Sequence, residues 1–128
     1  MSQENVNVVR GWLRALTAGD LDAMAEFWDP NITWRPIEGI GEMEGREAMR
    51  RYAREWVDMF DEITNVPEEL LEIGDDCVVA VQRATGRAKA SGIETEARYA
   101  VVYTLRDGKI VRGREYIDRE QALEAVRE

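Results

Sequence analysis

The sequence predicts an α+β fold, with helices in the first half of the chain and a strongly bent antiparallel sheet in the second. The spacing of apolar residues carries this prediction, because its period changes from 3.6 to 2 shortly after residue 60. A second observation is the pair Asp107-Gly108, which separates two runs of alternating apolar residues and indicates a tight hairpin.

Three helices are predicted before the main part of the sheet. The first has an apolar stripe at helical spacing and ends at Ala18-Gly19. The residues of that stripe are Val6, Val9, Leu13 and Leu16. Asp20 is expected to cap a short second helix, which ends at Asp29-Pro30. A third helix near residues 45 to 60 carries the stripe Met49, Ala53, Trp56 and Phe60.

The strands are predicted from alternation and from turn residues. A strand from Asn31 to Ile37 precedes a glycine-rich loop, and four longer strands follow the third helix. These four cover residues 63–73, 77–87, 94–106 and 109–118. Pro67 indicates a sheet edge or a kink in the first of them. A final helix is expected over residues 121–127, with Asp118 as its cap.

The last hairpin determines which side chains face the core. A type I turn followed by a glycine bulge would place Leu105 opposite Lys109, which pairs Val101 with Gly113 and Tyr99 with Glu115. The face that carries these residues is mostly apolar, and Glu115 is its acid. A carboxylate in apolar surroundings is costly unless it is paired or protonated, so Glu115 is singled out as a functional candidate.

Composition and charge exclude several classes of function. The chain has 128 residues and a net charge of −9, which predicts one domain over 1–128 and makes nucleic acid and anionic membranes poor partners. It contains no apolar run long enough to span a bilayer, and the first residues do not resemble a signal peptide. The lone cysteine, Cys77, fits a reducing compartment, so we expect a cytoplasmic protein.

The absence of histidine limits the chemistry further. It removes histidine bases, histidine-containing catalytic triads and most zinc or iron sites. No phosphate-binding glycine loop is present either. We therefore expect no metal and no organic cofactor, and any catalysis must use carboxylates, tyrosines, arginines, tryptophans or water.

Three segments resemble the nuclear transport factor 2-like superfamily, and within it the SnoaL-like and limonene epoxide hydrolase-like groups. They are Ala18-Gly19-Asp20-Leu21, Phe27-Trp28-Asp29-Pro30 and the ending from Asp107 to Asp118. The resemblance implies a cone-shaped curved sheet wrapped over N-terminal helices, a cystatin-like α+β barrel with an apolar pocket inside. It also implies a homodimer formed through the outer sheet face, with Val102, Thr104 and Tyr116 at its centre. The family includes isomerases, cyclases, dehydratases and epoxide hydrolases, so the fold alone does not name a reaction.

The cyclases and epoxide hydrolases of this group match the chain in part. Glu115 falls where the cyclases place a catalytic aspartate and where the epoxide hydrolases place one aspartate of their triad. The other two triad positions fall near Gln82 and Ala84, and the cyclase histidine falls at Val101. The Asp-Arg-Asp mechanism of water activation is therefore not expected here.

The ketosteroid isomerases match less well. Their general base falls at Arg35, before Pro36, while their two oxyanion donors fall at Trp12 and Val101. All three positions depart from the isomerase pattern, so ketosteroid isomerisation is not expected.

These considerations give a set of candidate site residues. Glu115 is the candidate catalytic acid or base, and Tyr99 is the phenol that would donate a hydrogen bond to developing negative charge. The candidate ligand-binding residues are Arg35, Trp12, Trp34, Tyr52, Trp56, Gln82 and Val101. The expected ligand is a small apolar molecule with a carbonyl group or a polyketide-like framework.

Plainer alternatives remain open at this point. Glu115 could pair with a buried arginine, or with Gln82 and Tyr99, and only hold the sheet together. Arg35 could pair with Glu38 or Glu42, and the tryptophans could be core residues. The chain could therefore be an enzyme, a non-catalytic protein that binds an apolar or carboxylate ligand, or a dimerisation module.

Overall fold

The computed structural model describes residues 2–37 and 41–127, which contain four helices. These are α1 (Ser2–Ala18), α2 (Leu21–Ala25), α3 (Arg46–Met59) and α4 (Arg119–Arg127). The carboxylate of Asp20 accepts a hydrogen bond from the backbone N–H of Ala23 at 3.1 Å, which confirms the predicted cap of α2. Asp118 caps α4 in the same way, through the N–H of Gln121 at 3.0 Å.

Within these described residues, six strands form one curved sheet that does not close into a barrel. They are β1 (Trp28–Arg35), β2 (Met43–Glu44), β3 (Phe60–Ile73), β4 (Cys77–Ala88), β5 (Glu94–Arg106) and β6 (Lys109–Tyr116). Their order across the sheet is β2-β1-β6-β5-β4-β3. β1 and β6 pair in parallel, and the other neighbours are antiparallel. The predicted α+β class is confirmed.

Two features of the first strands differ from the prediction. β1 begins at Trp28 rather than at Asn31, because Trp28 is fully buried and pairs with Ile110 of β6. The predicted glycine-rich loop contains the short strand β2, which pairs with the end of β1. Gly39 of the predicted glycine-rich loop and Glu38, the possible partner of Arg35, lie outside the described residues.

The edge strand β3 agrees with the prediction made from Pro67. β3 is the last strand of the sheet, and its pairing with β4 shifts by one residue between Pro67 and Glu69. A proline at this edge bulge does not interrupt the hydrogen bonds of a central strand.

The predicted register of the last hairpin was wrong by two residues. Asp107 and Gly108 both have positive φ, 53° and 76°, which is the geometry of a two-residue type I′ turn and places Arg106 opposite Lys109. A bulge between Thr104 and Leu105 then adds a second one-residue shift in the same direction. Because the two shifts add to an even number, the side chains beyond the bulge, including Gly113 and Glu115, keep their predicted face. Before the bulge the shift is one residue, so Ile110 rather than Lys109 lies opposite Leu105.

The correct pairs bring different residues together. Glu115 lies opposite Val101 rather than Tyr99, and Gly113 lies opposite Tyr103 rather than Val101. Tyr99 of β5 instead lies beside Gln82 of β4.

Two apolar clusters lie on the two sides of the sheet. The larger one packs α1, α2 and α3 against the inner face. The smaller one packs α4 against the outer face, where Ala122 contacts a cluster that includes Val79, Ala100 and Val102. Val102 is therefore fully buried within one chain, and its predicted place at the centre of a dimer interface was wrong. Thr104 and Tyr116 are partly exposed on this face.

Candidate functional site

An internal cavity lies between α1, α3 and the inner face of the sheet. Its volume is about 30 Å³, which is room for little more than a water molecule or two. α3 lines it with one face, through Met49, Tyr52, Ala53 and Trp56 at helical spacings of three, four and seven. The other lining residues are Trp12, Leu16, Trp34, Asn65, Gln82, Tyr99, Tyr103 and Glu115.

A depression of about 210 Å³ shares three lining residues with the cavity, and we infer that it forms the mouth of the cavity. Trp56, Tyr99 and Glu115 line both spaces, so these three side chains stand where the cavity meets the surface. The rest of the mouth is formed by Ile37, Ala97, Arg98 and Ile117. Ile117 is 59% exposed and Ile37 is 37% exposed, which leaves apolar surface around the entrance.

Glu115 is held by three neutral hydrogen-bond donors. Its Oε2 atom accepts a hydrogen bond from the indole Nε1 of Trp34 at 2.7 Å and another from the hydroxyl of Tyr52 at 3.1 Å. Its Oε1 atom accepts a longer one, of 3.3 Å, from the backbone N–H of Ile37. Among the described residues, Glu115 has no ion pair. In the described part of the chain, Glu115 has neither an arginine partner nor a hydrogen bond to Gln82 or Tyr99, so neither plainer alternative is found there.

The position of Trp34 depends on a glycine in the neighbouring strand. Trp34 of β1 lies beside Gly113 of β6, and a Cβ atom on Gly113 would lie 2.1 Å from Cζ3 of the Trp34 ring. The indole therefore occupies the space that a side chain at 113 would need. This placement directs the indole N–H at Glu115, two residues further along β6.

Burial and hydrogen bonding shift the pKa of the Glu115 carboxyl in opposite directions, and burial is the larger effect. Burial raises the pKa of the Glu115 carboxyl above its ordinary value of 4.5, while the hydrogen bonds from Trp34, Ile37 and Tyr52 act in the opposite direction. Burial, together with the negative charge of Glu115, also raises the pKa of Tyr52. Tyr52 therefore remains a protonated donor throughout the neutral range.

Tyr99 belongs to a separate group of buried polar side chains. Its hydroxyl oxygen accepts hydrogen bonds from Asn65 Nδ2 at 2.8 Å and from Gln82 Nε2 at 3.1 Å. Gln82 Nε2 also donates to Asn65 Oδ1 at 3.1 Å, and its Oε1 accepts from the hydroxyl of Tyr103 at 2.6 Å. Burial raises the pKa of Tyr99 to about 12, so its phenol keeps its proton at neutral pH.

Most of the residues singled out in the sequence surround this cavity, but two do not. The guanidinium of Arg35 lies on the outer side of β1, 5.4 Å from the ring centroid of Tyr116, and its Nη2 donates to the Tyr116 hydroxyl at 2.9 Å. Val101 is fully buried in the inner core cluster and does not line the cavity. The candidate partner Glu42 lies instead 3.7 Å from Arg112.

Asn65 and Tyr103 are site residues that the sequence reasoning did not select. Asn65 is 4% exposed and contacts both Gln82 and Tyr99. The alternation of β3 could have singled it out, because Asn65 shares the inner face with Ile63 and is a polar residue where an apolar one is expected. Its partners could not be found without the pairing of β3 with β4.

Two negative findings apply to residues 2–37 and 41–127. In this part of the chain, no group of three or more cysteine, aspartate or glutamate side chains could hold a metal ion. No helix within it is long and apolar enough to cross a membrane.

Comparison with known proteins identifies the family. Residues 9–113 match the SnoaL-like domain, so the chain belongs to the SnoaL-like domain family. No curated protein matches the chain.

Solved structures with the same fold cover nearly the whole chain. SalBIII, an epoxide hydrolase/cyclase-like enzyme with a role in pyran ring formation in the polyether salinomycin, is 26% identical, with a TM-score of 0.82 over 92% of this chain and 93% of its own. An NTF2-like protein from Burkholderia xenovorans LB400 is 27% identical, with a TM-score of 0.72 and coverage of 98% and 97%. A protein assigned to the SnoaL-like polyketide cyclases, from Jannaschia sp. CCS1, is 21% identical, with a TM-score of 0.80 and coverage of 98% and 92%. The match to the SnoaL-like domain family and the likeness to SalBIII support a small-molecule-binding, enzyme-like fold.

Proposed function

We propose that this member of the SnoaL-like domain family is a cofactor-independent enzyme of the isomerase, cyclase or lyase type, which acts on a small apolar carbonyl or polyketide-like substrate. The observation that carries the proposal is the state of Glu115. It is a carboxylate at the boundary between a cavity and its mouth, it is bound by neutral donors, and its pKa is raised by burial. Such a group is suited to act as a general acid or base near neutral pH.

The hydrogen bonds of Glu115 indicate which oxygen would exchange a proton. Two donors occupy Oε2, from Trp34 and Tyr52, so a proton on that oxygen would leave it in contact with two other hydrogens. Oε1 has one longer contact, with the N–H of Ile37 at the mouth. Oε1 is therefore the atom that would take a proton from the carbon next to a substrate carbonyl and return it elsewhere.

The proposed role of Tyr99 follows from its place in the same cavity. When a proton leaves the carbon next to a carbonyl, negative charge develops on the carbonyl oxygen. The Tyr99 hydroxyl lines the cavity with Glu115 and would donate a hydrogen bond to that oxygen. Isomerisation, aldol-type cyclisation and elimination all begin with this step.

The relation to SalBIII supports the ring-forming branch of the proposal. That protein acts in pyran ring formation, and it is 26% identical to this chain. A protonated Glu115 could donate its proton to a leaving oxygen during ring closure, with the raised pKa supplying the protonated form.

A proton-exchange assay tests the proposal without knowledge of the natural substrate. Small ketones and β-dicarbonyl compounds would be incubated with the protein in D₂O, and loss of the signals of the hydrogens next to the carbonyl would be followed by ¹H NMR. We expect at least one compound to exchange faster with the protein than in buffer, and Glu115→Gln to slow that exchange at least about 100-fold.

Two control variants separate the chemistry from folding. Glu115→Asp keeps a carboxylate and should retain part of the activity, while Glu47→Gln removes an exposed carboxylate of α3 and should retain all of it. Undiminished exchange in a folded Glu115→Gln protein would show that Glu115 is not the acid or base.

An alternative function is non-catalytic binding of a carboxylate-bearing ligand, and one observation favours it. A depression of about 340 Å³ beside the end of β1 is lined by Arg35, Tyr116 and Gln121, and Glu115 also borders it. Arg35 would be the counter-ion of a ligand there. Loss of binding of a small aromatic carboxylate, such as benzoate, in Arg35→Ala but not in Glu115→Gln would support this alternative.

A further inference from the structure

The buried polar side chains beside the cavity form a hydrogen-bonded chain whose direction is fixed at one end. The indole Nε1 of Trp12 donates to the hydroxyl oxygen of Tyr103 at 3.0 Å. An indole N–H can only donate, so Tyr103 accepts there and uses its own proton for Gln82 Oε1, 2.6 Å away. Trp12 and Tyr103 are both buried, 3% and 0% exposed.

The orientation of the next two amides follows from this first contact. Because Gln82 Oε1 faces Tyr103, its Nε2 faces Asn65 Oδ1 and the Tyr99 hydroxyl. Because Asn65 Oδ1 faces Gln82, its Nδ2 faces the same Tyr99 hydroxyl. Reversing one amide alone would bring two N–H groups or two oxygens together. Reversing both would leave the proton of the fully buried Tyr103 hydroxyl without an acceptor among the described residues. The backbone N–H of Asn65 is in addition bound to Thr17 Oγ1 at 3.0 Å, which anchors Asn65 to α1.

The hydrogen-bonded chain ends at Tyr99, whose hydroxyl oxygen acts as the acceptor of both neighbouring amides. Two N–H groups point at the Tyr99 oxygen and use both of its lone pairs. Within the described part of the chain, the proton of this hydroxyl has no acceptor, and Tyr99 lines both the cavity and its mouth. Two donors on the oxygen also make the O–H a stronger donor, because hydrogen bonds in a chain polarise one another.

We propose that this hydrogen-bonded chain is a one-way relay, in which each group donates to the next and Tyr99 is thereby fixed as a hydrogen-bond donor. The relay consists of Trp12, Tyr103, Gln82 and Asn65. As a result, the site selects ligands that place a carbonyl-type oxygen in the cavity. Gln82 and Asn65 are positioning residues, since they act through Tyr99. The assignment of a substrate class rests on the proposed function, because it takes this cavity as the substrate site.

The shape of the site agrees with this selection. The cavity of about 30 Å³ accommodates a small polar group but no ring system, whereas the mouth of about 210 Å³ is bordered by Trp56, Ile37 and Ile117. A ligand would therefore insert an oxygen-bearing end towards Tyr99 and leave its apolar body against these side chains. A ligand end that offers only N–H donors would meet the proton of Tyr99 and be rejected.

The direction of the relay can be measured without any ligand. A fluorinated tyrosine, whose phenol is more acidic than that of tyrosine, would be incorporated at position 99, and its ionisation followed by ¹⁹F NMR. Removing one donor by Asn65→Leu should raise the pKa of this phenol, because an N–H group that stabilises the phenolate is lost. Gln82→Met should change the pKa in the same direction, and either variant suffices if the other does not fold.

The outcomes of this titration are distinct. If Tyr99 instead donated to an amide oxygen, the same substitutions would remove an acceptor of the neutral phenol and lower the pKa. A fall, or no change, would overturn the relay. The same fluorinated residue at the outer Tyr116 should be unaffected by Asn65→Leu, which makes it the matched control.

A ligand experiment tests the selectivity. The probes are acetophenone and α-methylstyrene, which have the same shape, with =CH₂ in place of the carbonyl oxygen in the second. On binding, we expect the ¹³C signal of the acetophenone carbonyl to move downfield. Tyr99→Phe should abolish that shift and weaken the binding of acetophenone about tenfold, while the binding of α-methylstyrene should stay unchanged. A shift that persists in Tyr99→Phe, or no saturable binding of acetophenone up to its solubility, would overturn the selectivity.

These results are independent of catalysis. Neither measurement involves turnover, so the relay and the ligand preference can be found in a protein whose Glu115→Gln variant shows that the catalytic proposal is wrong. Equally, a protein that exchanges protons through Glu115 but shows a fall in the pKa of Tyr99 would retain the proposed function and lose the relay.

Discussion

Replacing Gly113 by alanine should displace the Trp34 ring, which lines the cavity and donates a hydrogen bond to Glu115. An added Cβ would lie 2.1 Å from Cζ3 and 2.2 Å from Cε3 of Trp34, where carbon atoms normally stay 3.5–4.0 Å apart. The ring has little room to retreat, because it packs edge-on against Trp12 at 6.1 Å and Tyr103 at 5.9 Å between ring centroids. The indole must move, and its hydrogen bond to Glu115 must lengthen or break.

The magnitude can be built from three contributions. Forcing a methyl group into a packed core costs about 1–3 kcal/mol. Losing a hydrogen bond to a charged group costs about 1.5–3 kcal/mol. Gly113 does not have a positive φ, so alanine is allowed there and offsets about 0.4–1 kcal/mol by restricting the unfolded chain. The expected loss in the free energy of unfolding is therefore roughly 2–5 kcal/mol.

Urea unfolding followed by circular dichroism measures this loss, and Gly86→Ala is the matched control. A Cβ at Gly86 would also meet an aromatic ring, at 2.8 Å from Cδ1 of Phe60. Phe60 is only half-buried near the edge of the sheet, so its ring can move, and we expect a loss of about 1 kcal/mol or less. Equal losses in the two variants, or a Gly113→Ala protein as stable as the parent, would refute the role assigned to the Trp34 ring.

Two further predictions concern Glu115 and the outer face of the sheet. Because burial raises the pKa of Glu115, its protonated form favours the folded state, and the parent protein should lose stability as the pH rises from about 4.5 through the folded pKa. Glu115→Gln lacks this titration, so its stability relative to the parent should increase over that range in urea unfolding at several pH values; a constant difference would contradict the raised pKa. Val102→Asp places an unpaired charge beneath α4 and should destabilise each chain by about 3 kcal/mol or more, in contrast to a milder effect of Thr104→Asp. Light scattering measures the molar mass of both variants and would show whether they form the homodimer expected from the family resemblance. A Val102→Asp protein that is monomeric, folded and as stable as the parent would mean that Val102 is an interface residue after all.

The order of the elements and the side of the sheet that Glu115 faces were both predictable. Helical and strand periods are local properties, so α1, α3 and the long strands follow from short stretches of sequence. The predicted face of Glu115 is correct although the predicted register is wrong, because the error of two residues equals the side-chain period of a strand.

The contacts of the site could not be predicted in the same way. Trp34 reaches Glu115 because β1 lies parallel to β6 and Gly113 leaves space, and Tyr52 reaches it from α3. These residues are 81 and 63 positions away from Glu115 along the chain, so only long-range packing brings them together.

The same distinction applies to the residues that were misplaced. The family position of Arg35 predicts a place in the pocket, but alternation along β1 turns Trp34 inward and Arg35 outward, towards Tyr116. The place of Val102 on the outer face predicts an interface residue, and nothing local indicates that α4 returns to cover it. Residue type and period therefore determined the elements and their faces, since those depend on neighbours in the chain. The partners of Glu115, the direction of the hydrogen bonds at Tyr99 and the burial of Val102 were decided by tertiary packing, because each depends on atoms that the sequence places far apart.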